Sequence, residues 1–373
     1  MGTAFGRWAK FEKPQRRAGR PVLNGKTFPV KRDPWRGISR TAFGLDYLRH
    51  YRARTCQEGD GHLKMMELNS YDEFDNPSYW FDCYVQRLSV YIQRKEDVPL
   101  ADPDDLNNPY DRDYAHNVRK RKATTNGTLT DGEDNYFPVL ESLDNGNTII
   151  IFEWAQSGAG VDSLIGARSW IETRWRRLGS FPPKEKTATD ERMALEFMDV
   201  ILKDIFKALA TNWEQYLSKC STHVSILEDK IYESPADESR APELWTNSNL
   251  WLKVEKLMYI HIDIIKEMRP LMKDLADDPE PVEDWLIGTQ TEFEKLANTL
   301  QEDLVKPTNN LSDLMYKSVE IRDSRHSLQL GTSMWRLSWI TFIFLPLTFI
   351  VGFTCSNSLW FIDLTNYRSD SSA

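Results

Sequence analysis

The sequence predicts an α+β cytosolic domain with long antiparallel helices, followed by a long stalk helix that continues into one C-terminal transmembrane helix. Three observations carry this. Residues 337–362 are an uncharged run of 26 residues between Arg336 and Asp363, and a helix of that length spans about 39 Å, enough for a hydrocarbon core. From about residue 188 apolar residues recur every three or four positions, the period of a helix with one buried face. Before that, β-branched and aromatic runs at His62–Leu68, Phe81–Tyr91 and Thr148–Trp154 read as strands.

Residues 1–58 read as a basic, disordered extension. Residues 1–40 hold eleven Lys and Arg against Glu12 and Asp33, a local charge of +9 that leaves −18 for the rest of a chain whose net charge is −9. Such a segment fits a solvated extension, contact with anionic lipid, or organellar targeting. Residues 59–185 read as an α/β module split by residues 98–135. Those residues are rich in Asp, Asn, Pro and Gly with a basic patch at 119–122, and read as a long mobile loop.

Residues 186–306 read as a long-helix bundle. Met198, Ile201, Ile205, Leu209, Trp213, Tyr216, Cys220, Val224, Leu227 and Ile231 form the apolar stripe of the first helix. A second runs from Leu250 to Leu275 with a kink at Pro270, and a third from Trp285 to Leu304 with a break or kink at Pro307. His261 falls on the apolar seam, where a packed histidine is expected rather than a metal ligand. Residues 307–336 make the stalk, 337–362 the span with Trp335, Trp339 and Trp360 at its ends, and 363–373 a polar tail.

The chain has four scattered cysteines and six dispersed histidines, with no CxxC or HExxH spacing, no GxSxG elbow and no phosphate-binding Gly-rich loop. No enzyme, organic cofactor or structural metal site is indicated. Four basic residues in a loop do not make a nucleic-acid site, so membrane lipid and further copies of the chain are the expected partners. No apolar stretch lies near the N-terminus, and Lys317, Arg322, Arg325 and Arg336 precede the span whereas Arg368 alone follows it, which places the N-terminus in the cytosol.

Within stalk and span, Met334, Leu337, Thr341, Leu345, Thr348 and Gly352 follow one another at intervals of three, four, four, three and four. This a/d seam lets parallel helices pack about a common axis. Apolar rings alternating with hydroxyl rings suit the lining of a pore, and small or hydroxylated residues equally mark ordinary helix packing.

Phe344-Leu345-Pro346-Leu347-Thr348-Phe349-Ile350, followed by Gly352 and Asn357, resembles the pore helix of CorA-type divalent cation transporters, which ends in a Gly-Met-Asn signature. The resemblance implies a homopentamer carrying magnesium or another divalent cation passively through a central pore lined by the six seam residues. It implies that Asn357 meets the hydrated ion at the outer mouth. Here Cys355-Ser356 stand where the family has Gly-Met, and the 16 residues after Asn357 are too polar for the family's second membrane helix. The resemblance leaves regulatory metal ligands unassigned. The competing expectation is a membrane-anchored helical scaffold, or a truncated transporter product, that conducts nothing. The plasma membrane is the expected location, with an organellar membrane as the alternative.

Overall fold

The computed structural model describes residues 2–10, 16–17, 19–33, 37–52, 63–95, 146–154, 163–166, 168–180, 190–276 and 285–369. They form two compact units, one of Met1–Asp229 with Trp245–Asn309 and the other of Lys230–Leu244 with Asn310–Ala373.

The first unit is built on a five-stranded antiparallel sheet of β3 (Gly25–Asp33), β4 (Ile38–Arg52), β5 (Lys64–Tyr71), β6 (Pro77–Lys95) and β7 (Thr148–Trp154). A small hairpin of β1 (Arg16–Arg17) and β2 (Arg20–Pro21) precedes it, turning at Gly19, whose φ of 77° is the left-handed region that glycine enters without strain. Strand β6 is the spine. One edge pairs with β4 from Ile38↔Lys95 to Arg52↔Phe81, and the other is shared by β5 toward its start and β7 toward its end. Strands β5 and β7 thus lie along one edge of β6.

Strand β4 is buried nearly end to end because both faces of the sheet are covered. On one face Phe5 of α1 (Gly2–Ala9) meets Phe28 edge-on with ring centroids 5.6 Å apart, and Trp8 lies over Gly44. On the other, Phe43 stacks on Phe206 at 5.3 Å. Phe206 belongs to α3 (Asp190–Glu233), which follows the short α2 (Ser169–Arg176).

Helix α3 is antiparallel to α4 (Ala241–Ala276), as the register of their contacts requires: Trp213 meets His261, and ten residues later His223 meets Asn247. The helical path then returns through α5 (Thr289–Leu300), a π turn (Gln301–Val305) and α6 (Lys306–Ser369), with Gln301 on Glu255 and Trp251 Nε1 donating to Thr308 Oγ1 at 3.0 Å.

Three features differ from the sequence reading. Residues expected as a disordered extension supply α1 and β1–β4. Charge dominates their composition, yet Phe43, Leu45 and Tyr47 alternate along β4 and are fully buried, and that period-two pattern outweighs the flanking charge. The helices and the sheet share one apolar core rather than forming separate domains, since Phe43 and Val90 belong to the same cluster as Trp213 and Leu257. Near Pro307 the third helix is interrupted as expected: the α-helix stops at Leu300 and resumes at Lys306, although the helical path continues. Proline lacks an N–H and crowds the carbonyl four residues back, and the wider π turn at 301–305 lies where that strain falls. The polar residues 363–369 continue the helix instead of starting a tail. The loop at 98–135, its basic patch and Cys56 lie outside the described residues.

His261 is a seam residue. Its Nδ1 accepts from Trp213 Nε1 at 3.2 Å, which makes Nε2 the protonated nitrogen, 2.8 Å from the Asp46 carbonyl. Burial lowers its pKa to about 4. As the pH falls below the ordinary histidine value of 6.5 the unfolded chain protonates first, so stability is lost between about pH 6.5 and 4, amounting to about 3 kcal/mol. Unfolding monitored across that window should show this slope in the native chain and a shallower one in His261→Gln; equal slopes would refute it.

Gly44 supports a second expectation. A Cβ there would run into the Trp8 indole, so Gly44→Ala should displace α1 at a cost of about 1–3 kcal/mol. Faster tryptic cleavage after Arg7 or Lys10 would report it, and unchanged cleavage would count against it.

Candidate pore-lining face

The second unit contains most of α6, a helix of 64 residues and so about 96 Å long. Among the described residues it belongs to the one helix long and apolar enough to cross a membrane, and none of its apolar window is buried. The run 337–362 is helical throughout, as its Leu, Ile, Phe and Trp content and lack of charge allow. Pro346 sits inside it and removes the N–H that would bond the Phe342 carbonyl, yet the helix passes through without a break.

At about 100° per residue, the six seam residues Met334, Leu337, Thr341, Leu345, Thr348 and Gly352 fall within an arc of about 80°. All are exposed in the single chain, Met334 and Leu345 at 70%. Apart from its chain neighbours and the helix's own backbone, nothing lies within 4 Å of where a Gly352 side chain would be, so the face narrows there to bare backbone.

The hydroxyls on this face are already engaged. Thr341 Oγ1 lies 3.2 Å from the Leu337 carbonyl and 2.9 Å from that of Ser338, and Thr348 Oγ1 lies 2.7 and 3.0 Å from those of Phe344 and Leu345. Each hydroxyl hydrogen therefore points into the helix and leaves the oxygen lone pairs as acceptors toward whatever faces the seam. An array of acceptors suits a hydrated cation, whose water shell presents hydrogens outward.

The opposite side of the span carries a ridge of aromatics. Trp335 and Trp339 meet edge-on at 5.8 Å, Trp339 and Phe342 at 6.5 Å, and Phe349 stacks with Phe353 at 6.3 Å. Asn357 falls on this side. Five residues beyond Gly352 in an unbroken helix, it is rotated by about 140° from it, so the fold gathers six of the seven expected site residues on one face and leaves Asn357 off it. Cys355, three residues past Gly352, continues the seam instead.

At the other end of this unit, Arg322 is held to the loop before α4. Its guanidinium donates to the Ala236 carbonyl at 3.0 Å and pairs with Glu238. The 3-10 turn Glu238–Arg240 is capped by Asp237, which accepts from the Ser239 N–H at 3.0 Å. Among the described residues no group of three or more His, Cys, Asp or Glu side chains is placed to hold a metal ion. Cys83 and Cys220 are buried, and burial raises both thiols well above the usual range.

The family described as CorA-like Mg2+ transporter protein matches residues 132–357, more than half of the 373-residue chain. The match covers β7, helices α2 to α5 and the whole seam, and it ends at Asn357. No curated protein matches the chain.

Proposed function

Because the chain belongs to the CorA-like Mg2+ transporter family, we propose that it is a subunit of a homopentameric channel carrying magnesium or a related divalent cation through a pore lined by α6. The observation that carries this reading is the narrow helix face that collects Met334, Leu337, Thr341, Leu345, Thr348 and Gly352 inside the segment the family matches. Copies of that face around an axis place apolar rings at Met334, Leu337 and Leu345, where the pore can dewet and close. The Thr341 and Thr348 rings offer lone pairs to the hydration shell, and magnesium gives up its water reluctantly. Transport needs no chemical step: a divalent cation moving into a negative interior gains about 4.6 kcal/mol per 100 mV.

The sheet and helices of the first unit would lie in the cytosol with α6 as the stalk, since the basic residues crowd the N-terminal side of the span. The membrane would be the plasma membrane, with an organellar membrane as the alternative. The family pattern assigns Asn357 to the ion at the outer mouth, a role that requires the helical path to turn after Gly352.

A second reading is favoured by the placement of Asn357 on the aromatic side: a membrane-anchored scaffold that conducts nothing. Liposomes holding the full chain and a magnesium-sensitive dye separate the two. The channel reading expects uptake that grows with inside-negative potential and falls in Asn357→Ala. Uptake no greater than in empty liposomes would leave the scaffold.

A further inference from the structure

Within the first unit a cavity of about 420 Å³ opens between the β1–β2 hairpin, the residues that follow it and one face of α4. Its size is that of a small-ligand site. Asn249, Lys253, Lys256 and Ile260 line it from successive turns of α4, positions that share one side of a helix. Arg17 reaches it from the hairpin, with Arg20 close enough to act on Lys253. Leu23, Leu257 and Ile260 give it an apolar floor.

Three cations, Arg17, Lys253 and Lys256, thus line one opening, with Arg20 near them, in a protein of net charge −9. Among the described residues none of them is paired with a carboxylate. Their crowding is physically costly: burial first, and then the charges of Arg20 and Arg17, lower the Lys253 ammonium from its ordinary value. Like charges held together over an apolar floor are relieved by an anion that brings its own apolar body.

We infer that this cavity binds an organic phosphate, with the phosphate held by Arg17, Lys253 and Lys256 and the organic part resting on Leu23 and Ile260. Arginine and lysine supply the fork and the point charges that phosphate oxygens accept. A free nucleotide and a lipid headgroup share this chemistry. The site also gives a role to part of the basic N-terminal segment, whose hairpin brings Arg17 to the cavity beside α4.

Binding to this cavity needs no transport and is measured directly. The full chain in detergent, kept in EDTA, is titrated with ATP and with inorganic tripolyphosphate, and in nanodiscs it is compared with and without phosphatidylinositol phosphates. Expected is saturable binding of ATP that exceeds tripolyphosphate binding, falls at least tenfold in Lys253→Glu/Lys256→Glu and in Arg17→Glu, and is unchanged in Lys266→Glu. Unfolding temperatures show that the variants stay folded. Binding only to the phosphoinositide nanodiscs, lost in the same variants, would sustain the site and identify the source as lipid. Absence of both, equal binding in the variants, or equal binding of tripolyphosphate and ATP would overturn it.

Discussion

Replacing Gly352 with Phe is expected to abolish divalent cation uptake by the reconstituted chain while leaving its assembly unchanged. Nothing occupies the space beside Gly352, so the helix itself tolerates the larger side chain. In the proposed oligomer the same substitution is repeated in every copy, and a ring of phenyl groups would close the passage there. The loss should be at least about tenfold, since an apolar constriction gates by excluding water. Phe353→Ala, one residue on but turned toward the aromatic ridge with Phe349, should change uptake little. If both variants lose uptake equally, the seam is not the lining. If neither does, the pore lies elsewhere.

The second large effect concerns folding. Asp46 of β4 is fully buried, and its carboxylate accepts from Arg87 Nε at 2.6 Å, Arg87 Nη2 at 3.1 Å and the Asn24 N–H at 2.9 Å. Arg87 in turn donates to the Trp8 carbonyl at 3.0 Å and lies 4.0 Å from the centre of the Trp8 ring. Asp46→Ala leaves a guanidinium buried without its counterion, which costs about 3–5 kcal/mol, a large share of the roughly 5–15 kcal/mol that holds a domain together. The double variant Asp46→Ala/Arg87→Met should recover part of this, because the uncompensated charge goes with it. Denaturant unfolding of the single and double variants decides the point, and a double variant less stable than Asp46→Ala would contradict this account of the pair.

The long helices and the span were legible because they rest on period and length, which one sequence displays directly. The stripe from Met198 to Ile231 has the spacing that α3 buries. The seam from Met334 to Gly352 was likewise visible as an interval pattern. Strand β4 was not, because Arg40, Arg49 and Arg52 gave its segment the composition of a solvated arm, and only the pairing with β6 shows that its centre is buried. The Asp46–Arg87 pair joins residues 41 apart on neighbouring strands, and the cationic cavity joins a hairpin to a helix more than 200 residues away. No local pattern announces either, since both depend on a register set only when the sheet and helices pack. Asn357 shows the reverse failure: its type and place in the sequence matched a signature, while its direction depends on whether the helix ends before it.

The mass of the full chain released intact from detergent, measured with and without magnesium, tests the central claim most directly. A complex of five copies is the predicted result, because a lining drawn from one helix face encloses a passage only when copies surround it. A monomer under conditions that keep the chain folded would contradict the pore and leave α6 as an anchor.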